Sequence, residues 1–180
     1  MATPTNNLKN LLYKYLISNP TQIYLGVGKT SPWTDESSPD QEQPTTNSLQ
    51  DIQYYLQASR AVPVKIITDK TVTPDITFQG ASYKIMAQED LSATNLPDAV
   101  YYSTVFDNTD TTSNKALKDG FRQYGVFVGL SASEYKQLLK PTEIASQGTM
   151  IEYANISPIY PQDNSQVTLS FIVPIEFLIA

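Results

Sequence analysis

The residues with most to offer chemically are Gly28-Lys29-Thr30, the acid pairs Asp35-Glu36 and Glu89-Asp90, the run Asp107-Asn108-Thr109-Asp110, and Arg122. Gly-Lys-Thr can close a phosphate loop. Such a loop needs another glycine five positions earlier and must open into a helix whose first amides hold the phosphate. The earlier position is Ile23, and Ser31-Pro32-Trp33 follows without a helical pattern. Neighbouring acids on extended backbone point to opposite sides, so each pair reads as solvated surface. A glycosidase pair about 5–10 Å apart across a cleft is neither supported nor excluded. A calcium loop beginning at Asp107 would want glycine sixth and glutamate twelfth; those positions hold Thr112 and Lys118. Arg122 opens the clearest strand, where an arginine is a carboxylate partner, a surface group, or a buried tether for a loop.

Composition narrows the chemistry further. There is no cysteine and no histidine. Disulfides, thiolate nucleophiles, the usual serine triad and the commonest metal ligand are therefore excluded. Carboxylate pairs, a buried lysine, tyrosine, or magnesium held by acids remain as catalytic options. Net charge is −6, and the two arginines, Arg60 and Arg122, lie far apart in sequence. A broad basic face for nucleic acid is not expected. No stretch approaches the ~20 apolar residues of a membrane span, and Met1–Asn7 lacks a signal-peptide design, so a cytoplasmic site of synthesis is expected. Twelve tyrosines suit half-buried sheets and interfaces.

The elements that must position these residues read as follows. Leu8, Leu11, Leu12, Tyr15 and Leu16 share one face of a helix over about 7–17, either facing a core or docking onto a neighbour. Gln22–Val27 reads as a strand that breaks at Gly26 and Gly28 and turns through Lys29 to Trp33, the single tryptophan. Residues 34–47 and 107–114 are polar loops. A second helix is expected from Ser48, capped with help from Asp51, to about Arg60. A short third one, capped by Ser133, would carry Tyr135, Leu138 and Leu139. Strands are expected at Val62–Thr68, with Pro63 marking an edge or the strand's first residues, and at Ser82–Ala87, Ala99–Phe106 and Gln123–Leu130. Thr149–Ile156 and Gln166–Val173 read as an antiparallel pair. The fold class is α+β, mainly antiparallel β with a sandwich-like core and two or three short helices, in a single domain over 1–180.

Three stretches, in order, resemble one family. They are Leu25-Gly26-Val27-Gly28-Lys29-Thr30-Ser31-Pro32-Trp33, then Gly120-Phe121-Arg122-Gln123 leading into Tyr124–Leu130, then Met150–Ile159 before the strand Val167–Phe177. Together they are similar to the small homodimeric baseplate wedge protein of T4-like contractile-tailed bacteriophages. The chain is much shorter than that family, as though its long middle were trimmed to Val62–Phe106. The resemblance implies a structural, non-enzymatic subunit of the virion tail baseplate, with no catalytic, cofactor or metal site and no small-molecule substrate, made in the bacterial host cytoplasm. It implies partners among other wedge subunits, a second copy of itself being a candidate, and rearrangement when the tail contracts. Tyr24, Lys29, Trp33, Arg122, Tyr153 and Phe171 are the candidate interface or structural anchors. The alternatives are a receptor- or carbohydrate-binding tail module, with tyrosine-rich loops for sugar stacking, and a carboxylate-pair hydrolase.

Overall fold

The computed structural model describes residues 13–17, 22–92, 94–107, 120–162 and 165–175. Twelve strands run in chain order: β1 Ile23–Gly28, β2 Tyr54–Gln57, β3 Arg60–Ile66, β4 Ile76–Phe78, β5 Ala81–Ile85, β6 Ala99–Asp107, β7 Phe121–Val128, β8 Ser131–Ala132, β9 Leu138–Leu139, β10 Ile144–Ser146, β11 Thr149–Ile159 and β12 Gln166–Pro174. The chain divides into two compact units. One comprises Met1–Pro20, Arg60–Ser103 and Ser170–Ala180; the other comprises Thr21–Ser59 and Thr104–Leu169. The expectation of a mainly antiparallel β protein is met.

The second unit is organised on a five-stranded sheet of order β11-β7-β1-β2-β9. All six residues of β1 are buried, because β7 and β2 flank it and side chains cover both its faces. Gly26 stands opposite Gly125 on β7 and Tyr55 on β2. A Cβ at Gly26 would lie 2.6 Å from the Phe127 ring, so the glycine is where that ring packs over the strand. Tyr24, Leu49, Tyr55, Phe127, Leu130 and Leu139 form the core cluster, with Tyr55 edge-on to Phe127 at 5.2 Å between ring centroids. β8 and β10 make a separate two-stranded sheet.

The first unit holds strands of the sheet ordered β12-β6-β3-β5-β4. Val64, Tyr83, Ala99 and Ile172 are its buried core. Residues 13–17 are helical, and the buried Tyr102 hydroxyl donates to the Leu16 carbonyl at 3.1 Å. The remainder of the helix expected over 7–17, and all of 108–114 in the second polar loop, lie outside the described residues.

Four expectations are corrected. The helix from Ser48 to Arg60 does not form. Asp51 has φ +44°, the Gln50 carbonyl accepts from Lys29 N–H, and Gln53 N–H donates to the Val27 carbonyl. The segment is thus drawn out beside β1 and continues as β2; tertiary hydrogen bonds override its helical spacing. The helix after Ser133 is likewise absent. Leu138 and Leu139 pair with Leu56 and Tyr55 as β9, which buries Leu139 completely. Pro63 is not on an edge, since β3 lies between β6 and β5. The pairing of β3 with β5 starts only at Val64–Ile85, so the missing N–H falls where β5 has run out. Finally, β11 pairs with β7, whereas β12 belongs to the sheet of β6; they are not partners.

Gly28 admits the drawn-out segment, since a Cβ there would lie 2.5 Å from the Gln50 carbonyl oxygen. Gly28→Ala should therefore destabilise the fold by about 1–3 kcal/mol. Chemical denaturation checks this; an unchanged midpoint would show that the segment yields freely.

Candidate functional site

The site is built from the turn that leaves β1, the polar segment after it, and the strands β7 and β11, all in the second unit. Lys29 has φ +53°, a left-handed conformation that turns the chain sharply away from the sheet. Its side chain is buried. Nζ donates to Ser31 Oγ and Gln50 Oε1, both at 3.2 Å, and sits 4.3 Å from the centroid of the Trp33 ring. Trp33 is itself buried, and its indole N–H donates to the Ile156 carbonyl of β11 at 2.8 Å. Tryptophan and lysine thus lock one turn within their own chain. The phosphate-loop alternative has no support here: Lys29 is spent on neighbours, and no helix follows.

Arg122 is the second residue of β7 and is 2% exposed. Its Nε and Nη2 grip the Glu36 carboxylate in fork geometry at 2.6–3.0 Å. Nη1 donates to the Thr30 carbonyl at 2.6 Å, and Nη2 also reaches the Tyr160 hydroxyl at 3.0 Å. The guanidinium lies 5.8 Å from the Tyr160 ring centroid. Its hydrogen bonds hold the Glu36 carboxyl below the usual carboxylate range. Within the pair Asp35-Glu36 the two acids do separate work. Asp35 accepts from Ser37 N–H and Oγ–H, while Glu36 turns to the arginine.

Beyond Glu36 the segment 37–46 lies against β11 as a strap. Asn155 N–H donates to Glu42 Oε1 at 2.8 Å, and Asn155 Nδ2 donates to the Asp40 carbonyl at 2.7 Å. The Tyr153 hydroxyl accepts from Gln43 N–H at 2.5 Å and reaches Thr46 Oγ1 at 3.2 Å. Gln123 relays the connection inward: its Nε2 donates to Asn155 Oδ1, and its Oε1 accepts from Gln50 N–H. Behind the strap Glu152 is partly buried, and burial pushes its carboxyl up to about 7.

Of the anchors named from sequence, Lys29, Trp33, Arg122 and Tyr153 meet along this strap and turn. Tyr24 sits in the core of the same unit, its hydroxyl donating to the Lys136 carbonyl at 2.9 Å. Phe171 is buried in the portion of β12 that belongs to the first unit. Sequence reading missed Glu36, Gln123, Asn155 and Tyr160. A buried arginine must find an acid, which is the signal that pointed toward Glu36; nothing local marked the two amides. Among the described residues no group of three or more acids converges to hold a metal ion.

Trp33→Phe keeps the ring but loses the bond to Ile156 and should cost about 1–2 kcal/mol. Trp33→Ala should cost about 3–5 kcal/mol. Equal losses for both, read by denaturation, would place the indole N–H outside the account. The two glutamates give opposite pH dependences. Glu36, depressed in the native state, contributes stability that is present above the ordinary 4.5 and lost as pH falls through its lower native value. Glu152 is raised, so stability falls as pH rises from about 4.5 to about 7 and is level beyond. Glu152→Gln should flatten the melting profile across that interval; an unaltered profile would exclude Glu152 as its source.

A family model described as "Baseplate wedge 3 tail fiber network component" matches residues 1–175. "Virion protein 3" of Enterococcus phage phiEF24C is 27% identical over 161 residues, covering 86% of this chain and 84% of that protein. A match running through both units, and through the turn, the strap and the arginine, settles the family: the chain belongs to the baseplate wedge 3 tail fiber network components and is a structural protein of the phage tail baseplate.

Proposed function

We propose that the chain is a non-enzymatic wedge subunit that joins neighbouring baseplate proteins around the central hub and takes part in the rearrangement that accompanies tail contraction. The observation that carries this reading is the investment in holding one polar segment in place. A buried arginine, a buried lysine and the single tryptophan all fix the path of residues 29–36 over β7 and β11. A rigid, hydrogen-bonded surface of this kind suits a part that transmits force between neighbours. Trp33, Arg122, Lys29 and Tyr153 then act as anchors of that surface, and Tyr24 and Phe171 as core supports of their units. The partners are other wedge subunits, with a second copy of the chain as one candidate, and the family unit extends over 1–180.

A carbohydrate-binding tail module is the second reading. Its support is limited to half-exposed rings such as Tyr135 and Tyr160, 41% and 49% exposed. Glycan-array binding abolished by Tyr135→Ala would favour it.

A phage carrying a stop codon at Trp33 should yield no complete baseplates, and supplying the chain in trans should restore them. Complete, infective particles made without the chain would refute the assembly role. Arg122→Ala supplied in trans should restore only a fraction of the infective yield, because the turn and strap lose their common anchor.

A further inference from the structure

We propose that the outer edge of β11 around Tyr153–Asn155 is an assembly surface that accepts an extended segment of another baseplate subunit as an added strand, displacing the 37–46 strap. This rests on the assembly reading above and names the surface it uses. β11 is eleven residues long and terminates its sheet. Edge strands are normally blunted by proline, lysine or a covering element. From Thr149 to Ser157 β11 has neither proline nor lysine, and its one charge, Glu152, is partly buried. Proline and charge are supplied instead by the strap, in Pro39, Asp40, Glu42 and Pro44.

The strap covers the edge without joining the sheet. Asn155 N–H points outward and is satisfied by the Glu42 side chain; by the alternation of antiparallel ladders, Tyr153 presents its backbone on the same side. Among the described residues every hydrogen bond between 37–46 and β11 involves a side chain. No residue of 34–47 is buried; Glu36, Pro39 and Thr46 are half-buried and the rest exposed. Its ends are pinned separately from its middle. Glu36 is held by Arg122, and the Asn47 carbonyl accepts from Gln147 Nε2 at 3.3 Å. The middle can therefore lift while both anchors stay in place. What lifting uncovers is the outward main-chain edge at Asn155, whose N–H loses its Glu42 partner, with the Tyr153 backbone on the same side, and the matching occupant is an extended peptide bound by strand addition.

Hydrogen exchange read by mass spectrometry on the purified chain and on intact phage particles tests this. In particles, peptides from 37–46 should exchange about tenfold faster than in the free chain, and those from 151–157 about tenfold slower. Both regions equally or better protected in particles would mean that the strap stays seated, and would overturn the proposal alone. Absence of the chain from particles would overturn the assembly reading with it. Glu42→Ala provides a second arm. It should speed exchange at 151–157 in the free chain, leave melting unchanged and preserve incorporation into particles. Loss of incorporation with unchanged melting would show that the seated strap is itself the recognised surface.

Discussion

A guanidinium that is 2% exposed has given up its water and must recover it from the protein. Arg122 does so by binding Glu36, the Thr30 carbonyl and the Tyr160 hydroxyl at once. Those three partners belong to the turn after β1, the start of the strap, and the end of β11. One charged side chain on β7 thereby fixes the relative positions of three irregular segments that the sheet alone would leave undetermined. Lys29 and Trp33 extend the same arrangement. The cation lies on the ring, and the ring is tied to β11.

The consequence is a division of labour between the sheet and its cover. The apolar cluster about Tyr24, Tyr55 and Phe127 holds β1, β2 and β7 together, and Gly26 and Gly28 let a ring and a backbone close on the central strand. The cover is polar, exposed and attached through side chains. A rigid core with a separately attached cover allows surface contacts to change while the fold is preserved.

Much of this was legible in the chain. The strands at Gln22–Val27, Ala99–Phe106 and Gln123–Leu130 carry unambiguous alternation or apolar runs, and all appear within two residues of their expected ends. The family resemblance rested on the Gly-Lys-to-Trp turn, on Gly-Phe-Arg-Gln and on Met150–Ile159 before the last strand, stretches that also supply Lys29, Trp33, Arg122, Tyr153 and Asn155 to the site. The helices at 48–60 and after Ser133 were misread because Leu49, Ile52 and Leu56, or Leu138 and Leu139, fit either a helix or an extended pairing when taken alone. The choice was made by partners distant in sequence: the edge of β1 for one, β2 for the other. The strap was visible only as a polar loop, since Asp40, Glu42 and Asn155 carry no local sign of having found each other across more than a hundred residues.

The central claim is that Arg122 and Glu36 act as one unit whose loss frees the turn and strap. A double-mutant cycle with Arg122→Met and Glu36→Gln, read by denaturant midpoints, tests it most directly. The expected result is strong coupling. Glu36→Gln alone strands a buried cation and should be strongly destabilising, and Arg122→Met should cost much less in the Glu36→Gln background than in the parent. Additive effects of the two substitutions would contradict it.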